Sequence, residues 1–118
     1  MKKLIAVVVI VLGFAFNTNA QEVKTVSLEQ TKGEFTQKQI TLSEGTYVFE
    51  IANNNVGHNV GFVLAPKSDI EAHIKNAYVK EKVQNNTKQT SKKVILKKGE
   101  YVYFCPLNPT PEYTLIVQ

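Results

Sequence analysis

Hydrophobic and polar positions alternate along most of this chain, the period expected of half-buried β-strands. Val23, Val26 and Leu28 mark a first strand. Ile40 and Leu42 lead through a Ser43-Glu44-Gly45 turn into Tyr47-Val48-Phe49-Glu50-Ile51. An asparagine-rich loop, Asn53 to Gly57, separates that strand from another over Asn59 to Leu64. Near the end, Val94-Ile95-Leu96 runs into a Lys97-Lys98-Gly99-Glu100 turn and then into Tyr101 to Cys105. A proline-rich loop, Pro106 to Pro111, precedes a last strand over Tyr113 to Val117. Short strands punctuated by turns predict an all-β sandwich of roughly seven or eight strands.

One segment carries a different period. Pro66 stops the preceding strand, and Ser68 with Glu71 has the spacing of a capping box. Ile70, His73, Ile74, Ala77 and Tyr78 then recur at helical spacing, and Glu71 precedes Lys75 by one helical turn. These signals predict one inserted helix from about Asp69 to Val83, covering an edge or face of the sandwich. Asn85 to Lys93 is polar throughout and predicts an exposed loop. No internal repeat is visible.

The first 20 residues have the layout of an export signal. Met1-Lys2-Lys3 is a charged start, Leu4 to Phe16 is an apolar run, and Asn17-Thr18-Asn19-Ala20 ends on a small residue. A membrane-spanning helix needs about 20 apolar residues, more than this run supplies. The expectation is a cleaved signal over residues 1–20 and one domain over residues 21–118, exported to the periplasm or secreted. No cysteine stands at the expected cleavage point to carry a lipid anchor. The whole chain has a formal charge of +4, and removing Lys2 and Lys3 would halve it.

Cysteine usage then becomes informative. Exported domains of this size often rely on disulfides, yet Cys105 is the only cysteine, which leaves no internal bridge. A lone thiol in an oxidising compartment is expected to be buried, bound to a metal, or bridged to a second chain. All 14 basic residues are lysine, and arginine and tryptophan are absent. That argues against nucleic-acid recognition, which favours the arginine fork. No glycine-rich phosphate loop, paired-cysteine zinc pattern or nucleophile elbow occurs, so no common enzyme class has a foothold.

Two passages carry a family resemblance. Gly45-Thr46-Tyr47-Val48-Phe49-Glu50-Ile51 continues to the pair His58-Asn59, and Gly99-Glu100-Tyr101-Val102-Tyr103-Phe104-Cys105 follows later. In this order they resemble the cupredoxin family of blue-copper proteins, over nearly all of residues 35–118. The resemblance implies a Greek-key β-sandwich in which a histidine from the first passage and the late cysteine bind copper. It also implies that Asn59 ties the histidine strand to the cysteine loop. In that family a thiolate and two imidazoles form a trigonal plane, with a weak axial thioether. The short ligand loop of the amicyanin type reads Cys-x-x-His-x-x-Met. Here Cys105-Pro106-Leu107-Asn108-Pro109-Thr110-Pro111 keeps the spacing, but Asn108 stands at the second histidine position and Pro111 at the methionine position.

His58 and Cys105 alone would give a two-coordinate site, acceptable to Cu(I) and poor for Cu(II). The bland readings stand beside the metal reading: His58 as a structural histidine under its loop, Cys105 as a small buried apolar side chain. An intermolecular disulfide through Cys105 is a further alternative. His73 is expected to pack on the helix away from the metal end. A Cys105–His58 nucleophile pair lacks any sign of a pocket or an oxyanion-stabilising group.

Half of all lysines fall between Lys80 and Lys98, with Glu81 the only acid among them. This stretch reads as a solvated edge, or as a docking surface for an acidic partner protein or an anionic surface. The sequence therefore leads to a non-enzymatic, exported, cupredoxin-like binding or accessory module with a degenerate copper site. The alternative is an atypical copper-binding protein, for copper handling or electron transfer, using His58 and Cys105.

Overall fold

The computed structural model describes residues 22–118; the expected export signal lies outside the described residues. Eight strands form among them: β1 (Val23–Thr31), β2 (Glu34–Phe35), β3 (Gln39–Leu42), β4 (Gly45–Asn53), β5 (Val63–Pro66), β6 (Lys88–Leu96), β7 (Gly99–Phe104) and β8 (Tyr113–Val117). They build two four-stranded sheets, one in the order β2-β1-β4-β6 and the other in the order β3-β8-β7-β5. β1 lies parallel to β4 and β3 parallel to β8, while the remaining pairs are antiparallel. This is the all-β sandwich expected from the alternation.

The inward faces supply the core. Val26, Leu28, Phe49, Ile51, Leu64, Leu96, Leu115 and Val117 are buried between the sheets. Phe35 and Tyr103 meet edge to face with centroids 5.2 Å apart, and Phe49 and Phe62 lie 5.1 Å apart. Tyr103 is fully buried, and its hydroxyl donates to the Gln37 carbonyl at 2.6 Å. Desolvation, with the neighbouring Tyr113 second, pushes its pKa up from 10.0 to about 12. Two further tyrosines latch turns by one device: Tyr47 donates to the Ser43 carbonyl at 2.7 Å and Tyr101 to the Lys97 carbonyl at 2.8 Å.

The polar stretch expected as a loop over Asn85 to Lys93 is instead largely strand, because β6 begins at Lys88 and pairs with β4. Ser91 shows why polarity misled here. The β4–β6 register shifts between Val48 and Glu50, and the buried Ser91 hydroxyl accepts the Phe49 N–H at 2.9 Å at that irregularity. A side-chain oxygen replaces the main-chain partner that the bulge displaces. The strand expected from Asn59 is also shorter, starting at Val63, with Val60 making an isolated bridge to Val83.

The helix expected from Asp69 to Val83 does not form. Only Lys75–Ala77 makes a single 3-10 turn. The capping box is replaced by Asp69, whose side chain accepts the Glu71 N–H at 3.1 Å. From there the chain runs as a strap between the edges of the two sheets. Ile74 N–H donates to Leu64 O at 2.8 Å on β5, and Lys80 N–H donates to Thr90 O at 3.0 Å on β6. Val60 and Val83 exchange both main-chain hydrogen bonds, at 3.0 and 2.8 Å. A helix would satisfy its own backbone and leave both edges bare, whereas the strap satisfies edge carbonyls and buries Ala77 and Val83.

Two outcomes follow for the core. Tyr103→Phe keeps the ring packing but leaves the Gln37 carbonyl without its donor, and should cost about 1–2 kcal/mol in urea unfolding. Because Tyr103 holds its proton more tightly when folded, its contribution is fully present below pH 10 and is lost as pH rises toward 12. The wild type should lose roughly 2–3 kcal/mol across that window, and Tyr103→Phe should lose less. Denaturant midpoints measured from pH 9 to 12 check both.

Candidate functional site

β7 ends at Phe104, and Cys105 opens the loop that returns to β8. The loop is closed on itself. Cys105 N–H donates to Thr110 Oγ1 at 2.9 Å, Thr110 N–H donates to the Cys105 carbonyl at 3.3 Å, and the Thr110 hydroxyl donates to Pro111 O at 3.0 Å. Cys105 is fully buried, and its sulfur accepts two backbone N–H groups, from Gly61 and Asn108, each at 3.3 Å.

Asn108 is 2% exposed, and its amide works at both ends. Oδ1 accepts the Gly33 N–H at 2.7 Å, while Nδ2 donates to Gln30 Oε1 at 3.0 Å and to the Thr31 carbonyl at 2.8 Å. Gln30, also fully buried, passes the connection on, donating from Nε2 to the Gly61 carbonyl at 2.7 Å. Gly61 then returns to the Cys105 sulfur through its own N–H. A closed ring of hydrogen bonds therefore joins β1, the segment before β5, and the cysteine loop. Gly33, at the turn from β1 to β2, holds φ +79°, a left-handed backbone that suits glycine and aims its N–H at Asn108.

The other expected positions lie outside this ring. His58 is exposed, and its Nδ1–H donates to the Asn59 carbonyl at 2.9 Å. A carbonyl only accepts, so Nδ1 carries the proton. Asn59 is exposed too, and Pro111 sits on the loop surface. Asn53, buried at the end of β4, anchors the His58 segment by donating to the His58 and Val83 carbonyls at 2.8 and 3.0 Å. His73, on the strap itself, is half-buried, hydrogen-bonded through Nδ1 to the Tyr78 hydroxyl at 2.8 Å and set edge-on to Phe104. The structure thus joins Cys105 to Asn108 directly, and no hydrogen bond links either of them to His58 or His73.

A family model described as Cupredoxin-like domain matches residues 4–117 of the chain. The chain belongs to the cupredoxin family. Solved structures agree on the fold of this cupredoxin. Auracyanin A, described as a blue copper protein from Chloroflexus aurantiacus, superposes with a TM-score of 0.66 at 14% identity, covering 82% of this chain and 100% of that one. Auracyanin B gives 0.63 at 17% identity, covering 85% and 91%. An azurin from Methylomonas sp. strain J gives 0.56 at 16% identity, covering 80% and 97%. A comparison with curated proteins finds no significant match. At these identities the likeness speaks for the fold and not for the site.

The donor set of a trigonal blue-copper centre does not fit the residues around Cys105. Such a centre asks for two imidazoles beside the thiolate, and the side chain in the loop next to Cys105 is an amide with both ends engaged inside the protein. Among the described residues, no group of three or more His, Cys, Asp and Glu side chains is placed to hold a metal ion.

Sequence reasoning missed Gln30, Gly33, Gly61 and Thr110. Gln30 had a readable signal: it continues the inward positions of Val26 and Leu28 on β1, where an apolar residue is expected. Removing the central amide should be costly. Asn108→Ala would strand Gly33 N–H, Gln30 Oε1 and the Thr31 carbonyl, and we expect a loss of about 3 kcal/mol in equilibrium urea unfolding. Asn108→Asp, which trades a donor for a buried charge, should be no milder.

Proposed function

We propose that this cupredoxin domain is a non-enzymatic, exported binding or accessory module whose copper site is degenerate. The observation that carries this reading is the use of Asn108. At the loop position where the family resemblance expects a second imidazole ligand, the side chain is spent on holding β1 to the cysteine loop. His58 supports the same reading, since its ring turns to a neighbouring carbonyl at the surface. Export is supported by the charged start and apolar run of residues 1–20. The binding role is supported by the lysines of the 80–98 stretch, which are all exposed. Among the described residues no helix is long and apolar enough to cross a membrane.

An anaerobic Cu(I) competition titration of the reduced protein residues 21–118 tests the reading directly. The expected outcome is no stoichiometric competition with a chelator, by wild type or by Cys105→Ser. Cys105→Ser should instead destabilise the domain by about 1–2 kcal/mol, through a shorter, more polar atom in the place of a buried sulfur. Tight binding of one copper that Cys105→Ser abolishes would overturn the proposal and favour copper handling through Cys105 and His58.

A further inference from the structure

The edge strand β6 is protected along only part of its length. Towards its start the strap covers it, with Lys80 N–H on Thr90 O and Val79 bridged to Ser91. The cover ends at Asn76, whose Nδ2 donates to the Lys93 carbonyl at 3.3 Å. Beyond that point a groove of about 670 Å³ opens between the strap and the outer face of the sheet. Its floor includes the row Val23–Thr46–Ile95, which the strand registers place side by side across β1, β4 and β6. Ile95 is 68% exposed and Val23 39%, and Ile74 lines the opposite wall.

The groove has a consistent charge. Lys75 and Lys93 line it, both exposed, and no carboxylate does. Neither lysine belongs to the ion pairs found among the described residues, Lys38–Glu34 and Lys67–Glu100. The main chain adds a third element. Lys93 directs its carbonyl away from β4 towards Asn76, and Ile95, two residues on, presents its N–H and C=O to the same open side. Such an edge accepts an added strand.

We propose that this groove seats an extended acidic segment of a partner protein, with one apolar side chain against Val23, Ile74 and Ile95 and flanking carboxylates on Lys75 and Lys93. The inference rests on the binding-module reading and names the partner's chemistry. A concave groove beside an open strand edge suits a chain segment, whereas a bilayer presents a flat surface. A second copy of this chain would bring like charges together at the lysines.

Fluorescence polarisation with a labelled peptide of alternating glutamate and valine tests it at low ionic strength. We expect saturable one-site binding that weakens as salt rises. Lys75→Glu with Lys93→Glu should weaken it about tenfold or more, and Ile95→Ser about fivefold. Lys32→Glu, in the turn beyond the other end of β1 from Val23, should change it less than about twofold. All four substitutions fall on exposed side chains, and circular dichroism would confirm that each variant stays folded. An all-glutamate peptide binding as tightly would reduce the site to charge and overturn the proposal. So would the absence of saturable binding, binding only to phosphatidylglycerol vesicles, or self-association that excludes the peptide. None of these outcomes alters the copper titration, so the groove can fail while the binding-module reading stands.

Discussion

A primary amide removed from water must find partners for its carbonyl and both N–H bonds, or the fold loses several kcal/mol at that point. The Asn108 side chain meets that demand with three partners that precede it by 75 to 78 residues: Gly33 at a turn, and Gln30 and Thr31 on β1. The rest of this end of the sandwich is arranged around it. Gln30 must turn to Gly61, Gly61 must offer its N–H to Cys105, and the loop must close tightly enough for Asn108 N–H to reach the same sulfur. Each member has a partner only because the next one is in place. In a low-dielectric interior a closed network of this kind is rigid, and a half-made one is worse than none. The Cys105 sulfur is thereby built into the packing of the domain, with main-chain N–H groups as its polar company.

At the side of the sandwich a second demand is met differently. β5 and β6 each end their sheet, and a bare edge is an invitation to pair with another chain. The segment after β5 answers for both edges at once, donating to Leu64 on one sheet and Thr90 on the other. Its apolar residues do not all turn inward: Ala77 and Val83 are buried, while Ile70 and Tyr78 stay exposed. Where the strap stops short of the end of β6, apolar and cationic side chains are left side by side on an open edge, with carboxylates absent from the lining. The molecule therefore has one polar pole sealed by amide hydrogen bonding and one flank left chemically available. The proposed function draws on that contrast, taking the sealed pole as a reason against a metal centre of the blue-copper type and the open flank as the proposed surface for a partner.

The amino-acid sequence by itself determined the layers of this protein. Alternation of apolar and polar positions over residues 45–51, 101–105 and 113–117 is a local property with a period of two, and it placed the strands and most of the core. Motif order was enough to indicate the cupredoxin fold. The ligand loop, too, was legible as one that keeps its spacing while holding Asn108 and Pro111 at two expected ligand positions. What the sequence could not determine is which backbone would satisfy its hydrogen bonds where. The apolar spacing of residues 70–78 suits a helix, but only the assembled sheets present two edges in need of cover, and those edges decided for a strap. Lys88 to Lys93 looked like a loop because its one buried polar side chain, Ser91, serves the Phe49 N–H 42 residues away. Gln30 and Asn108, 78 residues apart, could be recognised as partners only after folding brought them together. Local patterning fixes the period of a segment, and the pairing of buried polar groups is a property of the three-dimensional arrangement alone.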